Sequence, residues 1–153
     1  MGLGQLLFSF RGRINRAKYW LAALVIFGIL VVAIGIGATA AVAGNYSSPL
    51  LLLIFPVVLL ALFSGLAVGA KRLHDREKSA WWLLPFYLVP GVLQGVADSL
   101  KDIRGEDMVS LVLALALYLV ALALSVWAFV ELGCLRGTVG ANRYGPDPLE
   151  GRG

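Results

Sequence analysis

Three polar segments hold most of the side chains that could do chemistry: "FRGRINRAKYW" (10–20), "KRLHDREKSAWW" (71–82) and "GANRYGPDP" (140–148). The most reactive candidate is His74, beside Asp75 and between Arg72 and Arg76. An imidazole changes charge near neutral pH, so His74 suits proton transfer, or with the arginines it suits a phosphate headgroup. The plainer role is a histidine satisfied by a neighbour at a membrane interface. His74 and Asp75 are adjacent, so on a helix their side chains diverge and form no dyad by themselves. Asp75 and Asp147 are expected to bridge to the surrounding arginines, and Asn142 and Arg143 carry the third segment's polarity. Arg13 and Arg16 lie three apart, which puts them on one side of an interfacial helix facing lipid phosphate or a carboxylate within the protein. With one His and one Cys (Cys134) there is no zinc framework, internal disulfide or Cys–His nucleophile, and no nucleotide-binding loop is present. Neither metal nor cofactor is expected.

The elements that must position these residues follow from composition. The chain has 153 residues, of which 59% are hydrophobic and 14% charged, with a mean hydropathy of +0.85. Soluble domains carry roughly 25% charged residues, so this surface is made for lipid. A membrane helix needs about 20 apolar residues. Four segments qualify and predict an all-α, four-helix transmembrane bundle: about 19–43, 49–70, 80–97 and 108–133. They divide the chain into a basic arm (1–18), a membrane domain (19–133) and a tail (134–153). Pro85 and Pro90 should kink the third helix. "GNYSSP" (44–49) reads as the first turn. "ATAAVAG" (38–44) offers small residues of the kind signal peptidase favours, but a leader's apolar core is about 7–15 residues and this one is longer, so the segment reads as a span.

Cations assign the sides. The arm has Arg11, Arg13, Arg16 and Lys18; the second loop has Lys71, Arg72, Arg76 and Lys78; the tail has Arg136, Arg143 and Arg152. The opposite side has only Lys101 and Arg104, among acids. Lys and Arg favour cytoplasmic loops, so both termini should be cytoplasmic. Trp20, Trp81 and Trp82 fall where interfacial anchors are expected. Glu131, near the end of the last helix, should pair with a cation such as Arg72 or Arg136. "GLAVG" (65–69) and "GVLQG" (91–95) put two glycines on one helical face. They are expected to serve contacts within the monomer, with a homo-oligomer seam as the sharper alternative.

The ordered motifs F-x-G-R-x-x-R-x-x-Y-W, then R-L-H-D with S-x-W-W after it, then N-R-Y-G-P-D-P, resemble domain-of-unknown-function family 805. The resemblance runs from about Phe10 to Pro148. It places the family's polar signature on Gly12, Arg13, Arg16 and Trp20, then on Arg72 to Asp75 with Ser79, Trp81 and Trp82, and last on Asn142 to Pro148. Arg76-Glu77 stands where the family has a small-residue turn, and Ala80 where it has a glycine. The resemblance implies a small multi-spanning bacterial inner-membrane protein and implies no activity.

Three function classes remain. The leading one is a non-enzymatic accessory, scaffold or anionic-lipid-interacting protein, open to a membrane-complex partner. The others are a small oligomeric transporter or channel, and a lipid-headgroup enzyme built on His74, Asp75, Arg13 and Arg143. Nucleic acid is not expected, because no groove-reading element backs the basic arm. The three polar segments should pack as one cytoplasmic cap. In it Arg13, Arg16, Arg72, Asp75 and Asp147 exchange charge-assisted bonds, and Arg13, Arg16, Arg72 and His74 gather lipids such as cardiolipin or phosphatidylglycerol.

Overall fold

A computed structural model describes residues 2–44, 49–105 and 107–150. The turn expected at 44–49 lies mostly outside them, as do Glu106 and Arg152. A short helix, α1 (Leu3–Phe8), precedes four long helical segments. α2 (Arg16–Val42) starts at Asn15, whose side chain accepts from the Lys18 amide and so satisfies one of the orphan N–H groups of a helix start. Beyond Lys18 α2 is apolar all round, as a helix facing lipid must be. α3 (Pro49–Asp75) begins on a proline, the residue best tolerated at a first helical position, and continues through the "KRLHD" sequence.

The turn after α3 follows from a missing glycine. Lys78 N and Arg76 N both donate to the Leu73 carbonyl, at 2.9 Å each. This closes the helix with Glu77 in the left-handed region, φ 59°. Glycine is the usual residue there, so Glu77 holds the turn against its own steric preference. The third span then forms in pieces. Ala80–Trp82 is a 3₁₀ turn, Leu84–Leu88 a π-helical turn holding Pro85, and α4 runs Val89–Arg104. Pro90 follows closely on that π-helical turn, at the start of α4, and supplies no backbone N–H there. α5 (Met108–Phe129) starts on Asp107, which accepts from the Ser110 amide, and ends in a second π-helical turn, Val130–Cys134.

Four stretches are long and apolar enough to cross a membrane: Arg16–Val42, Leu52–Asp75, Ala80–Ile103 and Met108–Cys134. α2 packs along α3, and α4 along α5. The two hairpins meet at the end where α3 and α5 finish. There α2 and α3 touch Val130–Cys134, and α3 touches Ala80–Trp82. One cluster at this end gathers Ala70, Leu73, Leu83, Phe86, Ala128 and Leu132; a second joins Leu6, Ile14, Ala22 and Val68. Most large apolar side chains elsewhere on the four helices are exposed, as a lipid-facing surface requires.

The glycine motifs divide. A Cβ on Gly69 would lie 2.9 Å from Leu83 Cδ2 and 3.7 Å from the Tyr87 hydroxyl, so this glycine admits the neighbouring hairpin. Gly65, Gly91 and Gly95 would meet nothing within 4 Å. The expectation of contacts within the monomer therefore holds for Gly69 and fails for the other three.

Candidate functional site

Where the hairpins meet, the three polar segments form one assembly around Asp75. α3 and α5 both finish here, and a helix C-terminus carries unpaired carbonyls and partial negative charge that draw cations. The end of α5 shows how far this goes, because five successive carbonyls each receive a side chain from another element. Leu132 O accepts from Arg72 Nε (2.7 Å) and Gly133 O from Trp20 Nε1 (3.1 Å). Cys134 O accepts from Arg16 (2.9 Å), Leu135 O from Arg72, and Arg136 O from Arg76 (2.6 Å).

Asp75 is buried between two guanidinium groups, with Arg13 Nε at 3.1 Å on Oδ1 and an Arg72 terminal nitrogen at 2.5 Å on Oδ2. Arg13 is buried as well and uses its whole fork. Besides Asp75 it donates to Thr138 O (2.6 Å), Thr138 Oγ1 (3.2 Å), Gly140 O (2.7 Å) and Gly145 O (3.2 Å). A planar guanidinium with five donors suits this position, and a lysine would leave most of these acceptors empty. Gly137 passes so close that a Cβ there would overlap the Asp75 carboxylate.

The tail closes over the end of α3 through its backbone. Thr138 N donates to Asp75 O (2.8 Å), and Asn142 Nδ2 donates to His74 O (3.0 Å). Asn142 and Gly145 exchange backbone hydrogen bonds at 3.0 Å each, which places Tyr144 against His74. The two rings stack with centroids 3.9 Å apart and planes 8° apart, while His74 Nδ1 lies 3.3 Å from Gly12 O. Arg143 covers the outer face of Tyr144 and donates to Glu77 O (3.0 Å). Asp147 pins the turn by accepting from Leu149 N (2.9 Å) and Gly140 N (3.0 Å). These amide bonds, with Arg13 and Arg136 nearby, hold its carboxyl below the usual carboxylate range.

Glu131 forms a second buried centre with Arg76 Nε and Lys78 Nζ, each at 3.0 Å. The expectation of a cation partner holds, but Arg72 and Arg136 are not the partners: Arg72 is taken by Asp75 and α5 carbonyls, and the Arg136 side chain is exposed. Lys78 also lies 4.9 Å over the Trp82 ring and 5.9 Å from that of Trp127. Trp82 is thus half-buried within the protein, Trp20 is tied to α5, and Trp81 is exposed.

The structure brings Arg13, Arg72, His74, Asp75, Asn142, Arg143 and Asp147 together, with Arg16 at the edge. Three expectations need correction. Arg13 precedes α2 and points inward, whereas Arg16 opens α2 and is exposed, so they do not share an outward face. Arg13 and Arg72 are sealed within the protein, so lipid gathering cannot centre on them. Among the described residues, Asp147 bonds backbone amides rather than an arginine. Sequence reasoning also missed Lys71 and Thr138. Lys71 is fully buried against α1 and donates to Gln5 O (2.8 Å) and Leu6 O, closing that helix's C-terminus. The only signal was a lysine directly after the predicted second span.

A lateral groove of about 290 Å³ lies beneath the assembly, lined by Tyr19, Phe86, Tyr87, Ser125, Phe129 and Leu132 among others.

The chain is similar to the uncharacterized protein YiiR of Escherichia coli K12, 32% identical over 159 residues, covering 96% of this chain and 90% of that one. It is also similar to the inner membrane protein YhaH of the same strain, 28% identical over 147 residues, covering 92% and 87%. No solved structure matches it. The family model described as "Protein of unknown function (DUF805)" matches residues 7–146, which takes in all four spans, the first two polar segments and the third as far as Pro146, and the chain belongs to that family.

Proposed function

We propose that this protein is a multi-pass inner-membrane protein without enzymatic chemistry, an accessory or scaffold whose cytoplasmic rim holds anionic lipid headgroups. The observation that carries this reading is that the fold consumes some of the cap's cations, Arg76 and Lys78 on Glu131 among them, and leaves others toward the surface. Arg13, Lys71 and Arg72 are sealed inside and hold the fold together. Arg11, Lys18 and Arg136 make no side-chain hydrogen bond or ion pair among the described residues, and Arg16 is exposed beside them at the start of α2. Unspent cations beside an anionic leaflet contribute roughly 1 kcal/mol each near the surface, before screening. The positive end of α2 adds to the same field. The name of YhaH supports the inner-membrane location, and the lysine and arginine asymmetry supports cytoplasmic termini. A headgroup enzyme gains little from the geometry, because both Asp75 oxygens are held by arginines and His74 is covered by Tyr144. The lateral groove favours a second reading, a small transporter, which solute flux in liposomes would reveal.

Native mass spectrometry in mixed lipids tests the lipid role. A variant carrying Arg16→Gln, Lys18→Gln and Arg136→Gln should retain several-fold less cardiolipin and phosphatidylglycerol, with phosphatidylcholine unchanged. Equal retention of anionic lipid would sink the proposal. For orientation, reporter fusions at the C-terminus and after Lys78 should read cytoplasmic, and one after Gly44 periplasmic; a periplasmic C-terminus would overturn it.

A further inference from the structure

The outward face of α4 carries a row of polar groups, one of them at a depth where lipid offers no partner. Tyr118 lies ten residues into α5, about 15 Å from its start at 1.5 Å per residue. Its hydroxyl donates to Asp98 Oδ1 at 2.5 Å, and Lys101 Nζ lies 3.2 Å from the same oxygen. The span Met108–Cys134 has 27 residues, about 40 Å, for a hydrocarbon layer of roughly 30 Å. Along α4 itself, Asp98 lies about 9 Å and Lys101 about 4.5 Å before the last residue, Arg104, so the pair sits near the edge of that layer, whereas Gln94, about 15 Å in, lies within it. The pair is uncovered, since the Asp98 side chain is 61% exposed and that of Lys101 35%. Gln94, one turn along the same face, is exposed too. A polar group at the depth of Gln94 normally faces a bundle interior or a wet cavity, because an outward position facing lipid is costly.

We propose that a second copy of this chain covers this face, with α4 packed against α4. Gly91, Gln94, Gly95, Asp98 and Asp102 recur at helical spacing and form one exposed stripe, with Lys101 at its edge. Its chemistry is self-complementary, which is what a twofold interface demands, where the same patch meets itself. A carboxamide donates and accepts, so two Gln94 side chains satisfy each other. Lys101 of one copy lies within a turn of Asp98 and Asp102 of the other. Gly91 and Gly95, which would meet nothing within 4 Å even with a Cβ, let the backbones approach closely enough for these bonds. Lipid tails supply no partner for Gln94, and an unrelated protein would have to match acid, base and amide together.

Disulfide trapping in native membranes tests this. In a Cys134→Ser background, Gln94→Cys should give a homodimer band on oxidation at about tenfold the yield of Val112→Cys, a position 57% exposed on α5. Adding Gly95→Leu should cut that yield about tenfold. It should leave the monomer's thermal unfolding in detergent unchanged, since no atom lies within 4 Å of an added Cβ. Equal yields at 94 and 112, a product with a different protein, or indifference to Gly95→Leu would each overturn the proposal.

Discussion

Asp75 and Asp98 each contact a cation within a membrane-spanning stretch, yet their surroundings differ in almost every respect. Asp75 is enclosed by two arginines, and the remaining donors of those arginines are absorbed by carbonyls from the end of α5 and from the tail. Asp98 has one lysine and one phenol, and most of its side chain is open. A buried charge is tolerable only when its partners and their leftover hydrogen bonds are all supplied, and the Asp75 end supplies them from four separate stretches of chain. Among the described residues, the Asp98 end supplies two partners and leaves the rest of the carboxylate bare. One end of the molecule is complete within a single chain, and the other has the chemistry of an unfinished interface.

The largest expected effect comes from breaking the complete end. Asp75→Ala leaves Arg13 and Arg72 buried without their shared carboxylate, a loss of about 3–5 kcal/mol for a pair of this kind. The tail should come away as well, because Arg13 holds Thr138, Gly140 and Gly145 through the same guanidinium. Unfolding followed by SDS titration of the detergent-solubilised monomer should show a large drop in midpoint for Asp75→Ala. For Asp98→Ala, at a dilution where copies are separate, the shift should be much smaller, since only the exposed contacts to Tyr118 and Lys101 are lost. Equal shifts would erase the contrast between the two ends.

The same contrast explains what the sequence disclosed. The four apolar runs mark the spans because spanning requires length and apolarity, both of which are local properties. The residues around Asp75 stood out because polar side chains are rare in such a chain. Their partners did not stand out, since Arg13 and Arg72 donate largely to backbone carbonyls and every residue offers one of those. The carbonyl row from Leu132 to Arg136 depends on a π-helical turn that leaves no compositional trace. Glu131 shows a different limit. Several cations lay within plausible reach, and packing assigned Arg76 and Lys78 after Arg72 was drawn to Asp75. At six residues, α1 is too short to announce itself by periodicity, so Lys71 had no visible destination. The open glycines of α4 were legible as a motif, but whether they faced inward or outward needed coordinates.

The smallest effect concerns the outermost layer of the complete end, where Asp147 pins the tail turn. Its carboxyl is held below the usual range chiefly by the Leu149 and Gly140 amides, with Arg13 and Arg136 as the nearby charges. A carboxylate whose folded pKa is depressed adds stability above its unfolded value, near 3.9. That contribution is lost only as pH falls through the still lower folded value. Between pH 7 and 5 the turn should therefore be indifferent to acid, and it should loosen below about pH 4. Hydrogen-exchange protection factors for Gly140 and Leu149, corrected for intrinsic rates, should fall in that acidic window. Asp147→Asn should show reduced protection at these two amides already at pH 7, because a neutral amide oxygen accepts more weakly than a carboxylate. Amides of Leu132 and Gly133 in the second π-helical turn should keep their protection in both experiments. If they loosened together with Gly140, the tail and the buried centre would be one cooperative unit, and the layering of the complete end would be wrong.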